Sequence, residues 1–287
     1  MPRLFTITVS GETVHGIVDI PFAGTSADGG KAIVFLHGWG GYRTGPHDMF
    51  VQFARRFATE GYHCFRFDFR GWGYSGDICN TYGTGSMLED IDAVLNYVRS
   101  EFRITDISLV GICSGAKLAL YYAKVYPGPI NNLVLLSSAP LRHDEQGSKE
   151  VLGQMGLTSR TYAAKLFHRE TWSKIISGEI RYRRIFSIIF SPISKHRRGA
   201  KKTYSTRKTD AQVESFVGMT GDVLIIHGGK DPDTQITMPQ VGNLLTNYNI
   251  SFDTHIIPNA NHSFYSMRWK EEIYDIVEKW FKQHREL

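Results

Sequence analysis

Apolar residues occur along this chain in short continuous runs that alternate with segments of helical periodicity. Continuous runs are typical of strands buried on both faces of a sheet, and they occur at residues 32–36, 107–110, 133–136 and 223–226. Residues 64–69 predict one more strand of this sheet. Residues 4–9 and 14–20 predict an antiparallel strand pair, and residues 251–257 predict a further strand. Helical spacing predicts helices near residues 49–59, 87–102, 238–245 and 269–281, and another after residue 113. Such alternation predicts an α/β fold with a mostly parallel eight-stranded sheet and flanking helices.

The alternation is interrupted between residues 141 and 217, where only irregular helical patches and a basic run occur. We therefore predict a core formed by residues 1–140 and 218–287, with 141–217 as an inserted helical cap. Trp172 and Ile176 belong to an apolar stripe in this segment. Such stripes are usually packing faces, so we expect most of the stripe to seat the cap on the core. We expect Trp172 and Ile176 to contribute substrate contacts.

A strand, a sharp turn and a helix meet at Cys113, within the pattern Gly-x-Cys-x-Gly. This spacing is typical of a nucleophile elbow, whose strained turn brings neighbouring backbones close together. The turn needs small residues two positions before and after the nucleophile, and Gly111 and Gly115 supply them. Ser114 lacks such a frame, so the candidate nucleophile is Cys113. A buried structural cysteine in an ordinary turn is the alternative interpretation.

Two further candidates follow strands later in the chain. Asp231 follows the run at 223–226 and is the candidate acid, with Asp233 as the second choice. His262 follows the last predicted strand and is the candidate base among eleven histidines. The order nucleophile, acid, histidine is the order of the triad in α/β-hydrolases.

Glycines surround Trp39 in the His-Gly-Trp-Gly-Gly sequence at residues 37–41, directly after the third predicted strand. Glycine lets backbone N–H groups approach an anion closely. We expect the backbone N–H groups of Trp39 and Ser114 to form an oxyanion hole. The Trp39 side chain is also a candidate for lining the substrate pocket.

Residues 32–140 and 223–281 resemble the α/β-hydrolase superfamily, and residues 67–75 resemble its loop after the fourth strand. Residues 37–46 and 171–179 look like the bacterial hydrolases associated with exosortase systems. A cysteine nucleophile is similar to that of dienelactone hydrolases and bile-acid acyltransferases. The resemblance implies an α/β-hydrolase fold in which Cys113, Asp231 and His262 act as a catalytic triad.

The sequence predicts an enzyme that acts on an activated acyl substrate, namely a thioester, ester or lactone. His262 and the N-terminus of the helix after Cys113 both favour the thiolate, which would form an S-acyl intermediate. Water as the second nucleophile gives a hydrolase, whereas an amine, alcohol or enolate gives an acyltransferase or cyclase. A non-catalytic binding protein on the same fold is the third alternative.

No cofactor or metal is expected. The Gly-x-Gly-x-x-Gly pattern at residues 71–76 continues into a loop, whereas a dinucleotide fingerprint opens directly into a helix. The three cysteines are far apart and show no spacing typical of metal ligands. Their odd number, together with an N-terminus that lacks an apolar signal region, predicts a cytoplasmic protein.

Positive charge is concentrated in one segment of the predicted cap. Residues 181–208 contain ten lysines and arginines and no acidic residue, whereas the whole chain has 33 basic and 28 acidic residues. The remainder is therefore net acidic, which argues against general nucleic-acid binding. Most such runs are solvated surface. The alternative is a docking surface for an anionic acyl carrier, either a carrier protein or coenzyme A, with a membrane surface less favoured.

The carrier hypothesis predicts an effect on substrate affinity alone. Neutralising Arg197, Arg198, Lys201 and Lys202 together should raise KM for a carrier-bound acyl thioester and leave kcat for a small uncharged ester unchanged. Added salt should raise the wild-type KM for the carrier substrate, because exposed charge attraction is screened. A KM that responds to neither change would identify the run as solvated surface.

Overall fold

The computed structural model describes residues 2–21, 30–75, 83–127, 129–141, 216 and 218–284. An eight-stranded sheet lies at the centre of these residues. The strands are β1 (Pro2–Val9), β2 (Glu12–Asp19), β3 (Lys31–Leu36), β4 (Tyr62–Phe67), β5 (Asp106–Ile112), β6 (Asn132–Leu136), β7 (Val223–Gly228) and β8 (Phe252–Ile257). Their spatial order is β1-β2-β4-β3-β5-β6-β7-β8. The pairs β1/β2 and β2/β4 are antiparallel and the remaining pairs are parallel, which confirms the predicted fold class.

Five α-helices lie in the described residues and cover both faces of the sheet. They are α1 (Met49–Thr59), α2 (Thr84–Phe102), α3 (Ser114–Val125), α4 (Thr234–Asn247) and α5 (Met267–Gln283). Helices α1 and α5 pack on one face, and α2, α3 and α4 pack on the other. No helix in these described ranges is both long enough and apolar enough to cross a membrane.

Burial on two faces explains the continuous apolar runs of the central strands. In β3, Ile33 and Phe35 pack towards α1 and α5, whereas Val34 and Leu36 pack towards α2 and α3. Each of these four side chains is at most 1% exposed. Full burial of such a side chain contributes about 1.5–3 kcal/mol relative to its exposure, so β3 anchors both layers.

The parallel arrangement fixes the position of the candidate site. Strands β3 to β8 all run in one direction, so their carboxyl ends lie at one edge of the sheet. The loops that carry Trp39, Cys113, Asp231 and His262 all leave the sheet at this edge. Residues distant in sequence are thus brought to one side of the molecule.

Helix α4 begins four residues earlier than the sequence predicted. Pro239 lies inside this helix, and a proline there has no N–H to donate to the preceding turn. The helix accommodates it in its second turn, and the backbone bonds from Thr237 and Ile236 to the carbonyl of Asp233 close the first turn. The predicted cap, its residues Trp172 and Ile176, and the basic run lie outside the described residues, so these assignments stay predictions.

A buried ion pair connects β2 and β4. The guanidinium of Arg66 donates to one carboxylate oxygen of Asp19 from Nη2 at 2.7 Å and from Nε at 3.3 Å. Both residues are 3% exposed. Removal of one partner would leave an uncompensated charge in the interior.

We expect Arg66→Met to lower the free energy of unfolding by about 3–5 kcal/mol, since it leaves Asp19 buried and unpaired. The double variant Arg66→Met/Asp19→Leu should regain most of that loss, because neither charge is then desolvated. Denaturant titration measures both effects. Lys31→Met is the matched control, since Lys31 pairs with Asp106 at the surface, where a pair contributes about 0–1 kcal/mol. A double variant no more stable than the single one would contradict this account.

Candidate active site

Cys113 occupies a strained turn between β5 and α3. Its backbone has φ 57° and ψ −122°, a region that side-chain-bearing residues rarely adopt. Three backbone bonds hold it there. Its N–H donates to the carbonyl of Leu136 at 3.0 Å, and its carbonyl accepts from Ala139 at 3.1 Å and from Lys117 at 3.3 Å. The thiol is half-buried and unpaired with any other cysteine.

Close backbone approach explains the glycines around this turn. A Cβ atom on Gly111 would lie 2.5 Å from the carbonyl oxygen of Gly115, and one on Gly115 would lie 2.1 Å from that of Leu36. Neither position admits a side chain, which confirms the steric expectation for an elbow. The backbone of Gly38 also lies against the thiol, since a Cβ there would be 3.0 Å from the Cβ of Cys113.

The His262 imidazole lies between Cys113 and Asp231. Its Nδ1 is 2.8 Å from Oδ2 of Asp231, and its ring also interacts with the side chain of Cys113. Because Nδ1 is used by Asp231, Nε2 is the nitrogen left for the thiol. The other oxygen of Asp231, Oδ1, accepts the backbone N–H of Asp233 at 3.1 Å. The first-choice acid is therefore the one that contacts the histidine.

Backbone bonds join the two loops that carry this pair. The N–H of Gly229 donates to the carbonyl of Ile257 at 2.8 Å, and that of Lys230 donates to Ala260 at 2.9 Å. A Cβ on Gly228 would meet the carbonyl oxygen of Ala260 at 2.4 Å. The loops therefore pack backbone to backbone, which fixes the separation of Asp231 and His262.

Its surroundings favour the charged form of His262. The hydrogen bond with Cys113 is the largest cause of a shift in the pKa of His262. Burial lowers this pKa, whereas the charges of Cys113 and Asp231 raise it. The net effect is a pKa of about 9. At neutral pH the imidazole is therefore held as an imidazolium beside the thiol. Such a pairing is the arrangement in which a cysteine is activated as a nucleophile.

His37 positions the loop that follows β3. Its Nδ1 lies 2.9 Å from the carbonyl oxygen of Gly38, and its Nε2 lies 3.3 Å from the backbone nitrogen of Phe69. A carbonyl only accepts and an N–H only donates, so the proton of His37 is on Nδ1. Burial lowers the pKa of His37, which keeps it neutral. The sequence pattern identifies His37 only as part of the motif at residues 37–41 and does not predict this role.

Asp68 lies directly after β4 and supports the same loop, the one that follows β3. Its buried carboxylate accepts the backbone N–H of Arg43 at 2.6 Å and of Tyr74 at 3.2 Å, and it pairs with the guanidinium of Arg43. These bonds connect the loops after β3 and β4. The sequence signal that could have identified it is an acidic residue near the carboxyl end of the strand predicted at residues 64–69.

The backbone N–H of Trp39 is already engaged in this structure. It donates to the side-chain oxygen of Ser114 at 2.5 Å. From the sequence we expect the N–H groups of Trp39 and Ser114 to face an oxyanion. The hydrogen bond from Trp39 to the Ser114 hydroxyl was not predicted. The Trp39 ring is half-buried and packs edge-on against Trp72, with ring centres 5.1 Å apart.

Behind the acid lies a second buried histidine, His227. Burial lowers its pKa to about 4, with the charge of Asp231 raising it and that of His262 lowering it. The hydroxyls of Thr234 and Thr237 lie 3.3–3.4 Å from its ring nitrogens. Each hydroxyl donates to a backbone carbonyl and so presents lone pairs to the ring. His227 is thus a neutral support beneath the Asp231 loop.

Asp231, Asp233 and His262 place one potential metal-ligand atom each within 4.8 Å of one another. Both oxygens of Asp231 already accept hydrogen bonds, one from His262 and one from the Asp233 backbone. The grouping is therefore explained by the hydrogen-bonded acid and histidine and does not require a cation.

Titration of the His262 imidazole tests this geometry directly. Histidine-selective NMR should give a pKa of about 9 in the wild type. Cys113→Ala should lower it most, because the largest cause of the shift is removed, and Asp231→Asn should lower it as well. Asp233→Asn is the matched control and should leave the pKa unchanged. A drop in the pKa with Asp233→Asn, but not with Asp231→Asn, would assign the acid to Asp233.

Comparison with known proteins agrees with this architecture. The family model described as alpha/beta hydrolase fold matches residues 31–266. The AB hydrolase superfamily protein YisY of Bacillus subtilis is 31% identical over 113 residues, so the match spans 38% of this chain and 38% of YisY. Proline iminopeptidase PfmaB of Pestalotiopsis fici is 23% identical over 274 residues, covering 88% of this chain and 91% of that protein.

Solved structures show the same fold at low identity. An esterase of Pyrococcus furiosus superposes with a TM-score of 0.63 at 19% identity, over 99% of this chain and 91% of that one. Est1E of Butyrivibrio proteoclasticus, with ferulic acid bound, gives 0.61 at 18% identity over 98% of both chains. XC6422 of Xanthomonas campestris, a serine hydrolase without a lid, gives 0.59 at 15% identity over 98% and 94%. From the family match over most of its length, together with its sheet topology, the chain belongs to the α/β-hydrolase fold family.

Proposed function

We propose that this protein is a hydrolase of activated acyl compounds, namely thioesters, esters or lactones, and that Cys113 is its nucleophile. One observation carries the proposal: His262 is hydrogen-bonded to the buried Asp231, and the Cys113 side chain beside it is the largest cause of its raised pKa. A nucleophile next to a base, with the base oriented by a third group, is the arrangement that covalent acyl transfer needs.

In the first half-reaction the Cys113 thiolate attacks the acyl carbon. A C–S bond forms, and the π electrons of the carbonyl move onto its oxygen to give a tetrahedral oxyanion. The oxyanion collapses as the bond to the leaving group breaks, and the leaving group takes the proton of the His262 imidazolium. An S-acyl enzyme and a neutral His262 remain, with Asp231 still bound to Nδ1.

In the second half-reaction water replaces the leaving group. Neutral His262 accepts a proton from the water as its oxygen attacks the thioester carbon, and a second oxyanion forms. This intermediate expels the Cys113 thiolate, which restores the ion pair with His262 and releases the acid. The sum is one acyl bond hydrolysed by one water molecule, with the enzyme unchanged.

Leaving-group chemistry favours activated substrates. A thiol has a pKa of about 8.5, so a tetrahedral intermediate readily expels the cysteine again. Forward collapse then requires a leaving group that departs comparably well, such as a thiolate, a phenolate or an enolate. Unactivated amides meet this requirement poorly, and we expect an N-terminal prolyl amide to be a much weaker substrate than a thioester.

The exposure of the base favours water as the acceptor. The His262 side chain is 35% exposed, which supports access of a water molecule to the imidazole. Transfer to an amine, alcohol or enolate would proceed through the same S-acyl enzyme and is a separate outcome of product analysis. The likeness to hydrolases of exosortase systems stays a prediction.

Covalent trapping tests the identity of the nucleophile. Wild-type protein mixed with p-nitrophenyl acetate should release a burst of nitrophenolate and gain one acetyl group on the peptide that contains Cys113. Cys113→Ala should lose the burst, the adduct and turnover, while its circular dichroism stays unchanged. Mass spectrometry of the intact and digested protein measures the adduct.

Cys64 provides the matched thiol control. It is fully buried, and its pKa is raised well above the usual range, first by burial and then by the charge of Asp19. Cys64→Ala should therefore keep the burst and the adduct. Full turnover in Cys113→Ala, with loss in Ser114→Ala, would show that the neighbouring serine is the nucleophile instead.

A further inference from the structure

The hydroxyl of Ser114 stands beside the candidate nucleophile in a position that the triad leaves unexplained. Its oxygen accepts the backbone N–H of Trp39 at 2.5 Å. Its hydrogen has no acceptor among the residues that the structure describes. The Ser114 hydroxyl is half-buried, uses one lone pair and keeps its hydrogen available, so it can donate a hydrogen bond to a bound substrate.

The surrounding backbone places this hydroxyl at the site of the reaction. Ser114 directly follows Cys113 and is the first residue of α3, so its own N–H has no acceptor within the helix. The loop that carries Trp39 passes close to Cys113, because a Cβ atom on Gly38 would lie 3.0 Å from the Cβ and 3.7 Å from the sulfur of Cys113. Ser114 therefore presents two donors, its N–H and its O–H, between Cys113 and this loop.

We propose that the Ser114 hydroxyl donates a hydrogen bond to the oxyanion and that the Trp39 N–H orients it. The inference rests on the proposed acyl-transfer function and revises the expected oxyanion hole. Trp39 N–H then acts through Ser114 rather than directly on the substrate. Donation from Trp39 to the hydroxyl oxygen directs the hydrogen away from Trp39 and polarises it, which strengthens it as a donor.

No proton leaves Ser114 in this step. When the thiolate attacks, the carbonyl π electrons move to oxygen, and the oxyanion accepts hydrogen bonds from the N–H and O–H of Ser114. Collapse of the intermediate restores the carbonyl, and the hydroxyl keeps its hydrogen throughout. The bond is stronger to the oxyanion than to the ground-state carbonyl, so it lowers the barrier more than it improves substrate binding.

The test compares Ser114→Ala with Ser114→Thr, which retains a hydroxyl on the same carbon. Loss of one oxyanion donor typically lowers kcat by about 10²–10³. We expect Ser114→Ala to slow the acylation burst with p-nitrophenyl acetate by that order and to leave KM nearly unchanged. Ser114→Thr should recover most of the rate. Ser138→Ala removes another buried hydroxyl at the same end of the sheet and should behave as wild type.

Alkylation by iodoacetamide separates the oxyanion from the nucleophile. That reaction forms a C–S bond and expels iodide without a tetrahedral oxyanion. Its rate at Cys113 should therefore be the same in wild type, Ser114→Ala and Ser114→Thr. A parallel fall in alkylation and acylation would instead assign Ser114 to activation of the thiol and would overturn the proposal.

Three further outcomes would also overturn it. Acylation by Ser114→Ala at the wild-type rate would show that the hydroxyl takes no part. Faster acylation would show that the hydroxyl blocks the Trp39 N–H and must be displaced by substrate. Slow acylation in both Ser114→Ala and Ser114→Thr, with unchanged circular dichroism, would point to packing rather than donation. Failure of the proposed function is visible separately, as absence of any acyl adduct on wild-type Cys113.

Discussion

Contact between the first turn of α3 and the end of β3 is the constraint on which the candidate site depends. The backbone at Gly115 approaches the carbonyl oxygen of Leu36 so closely that no side chain fits between them. Two residues before this contact, the backbone of Cys113 adopts a positive φ of 57°. Strain of this kind persists only when the surrounding structure over-determines it, and the bonds to Leu136 and Ala139 do so.

Three histidines at this edge of the sheet have different protonation states because their surroundings differ. His262 touches a thiol and a carboxylate, which together outweigh its burial, and its pKa rises. His37 and His227 are buried among backbone groups and hydroxyls, and their pKa values fall. Among these three, charge is therefore confined to the imidazole beside the Cys113 thiol, while the other two act as uncharged supports for the loops around it.

The sequence predicted those features that depend on burial and on local backbone constraints. Runs such as 133–136 identified doubly buried strands, and the spacing of Gly111, Cys113 and Gly115 identified the elbow. The start of α4 was placed too late because its first turn, residues 234–237, is mostly polar and adds little to the apolar periodicity. The bond between Trp39 and Ser114 could not be foreseen, since it joins residues 75 positions apart through one side-chain rotamer. The role of Asp68 was missed for a similar reason, because its partner Arg43 lies 25 positions away in the loop after β3.

The pairing of β6 with β7 has a consequence for the order in which the protein acquires reactivity. These neighbouring strands lie on either side of residues 142–215, so Cys113 precedes that long segment and both of its partners follow it. During synthesis Cys113 is therefore made well before Asp231 and His262, which follow β7 and β8. A ribosome-bound chain that has reached residue 217 lacks both side chains. The surroundings that raise the pKa of His262 beside the Cys113 thiol thus exist only once β7 and β8 have joined the sheet.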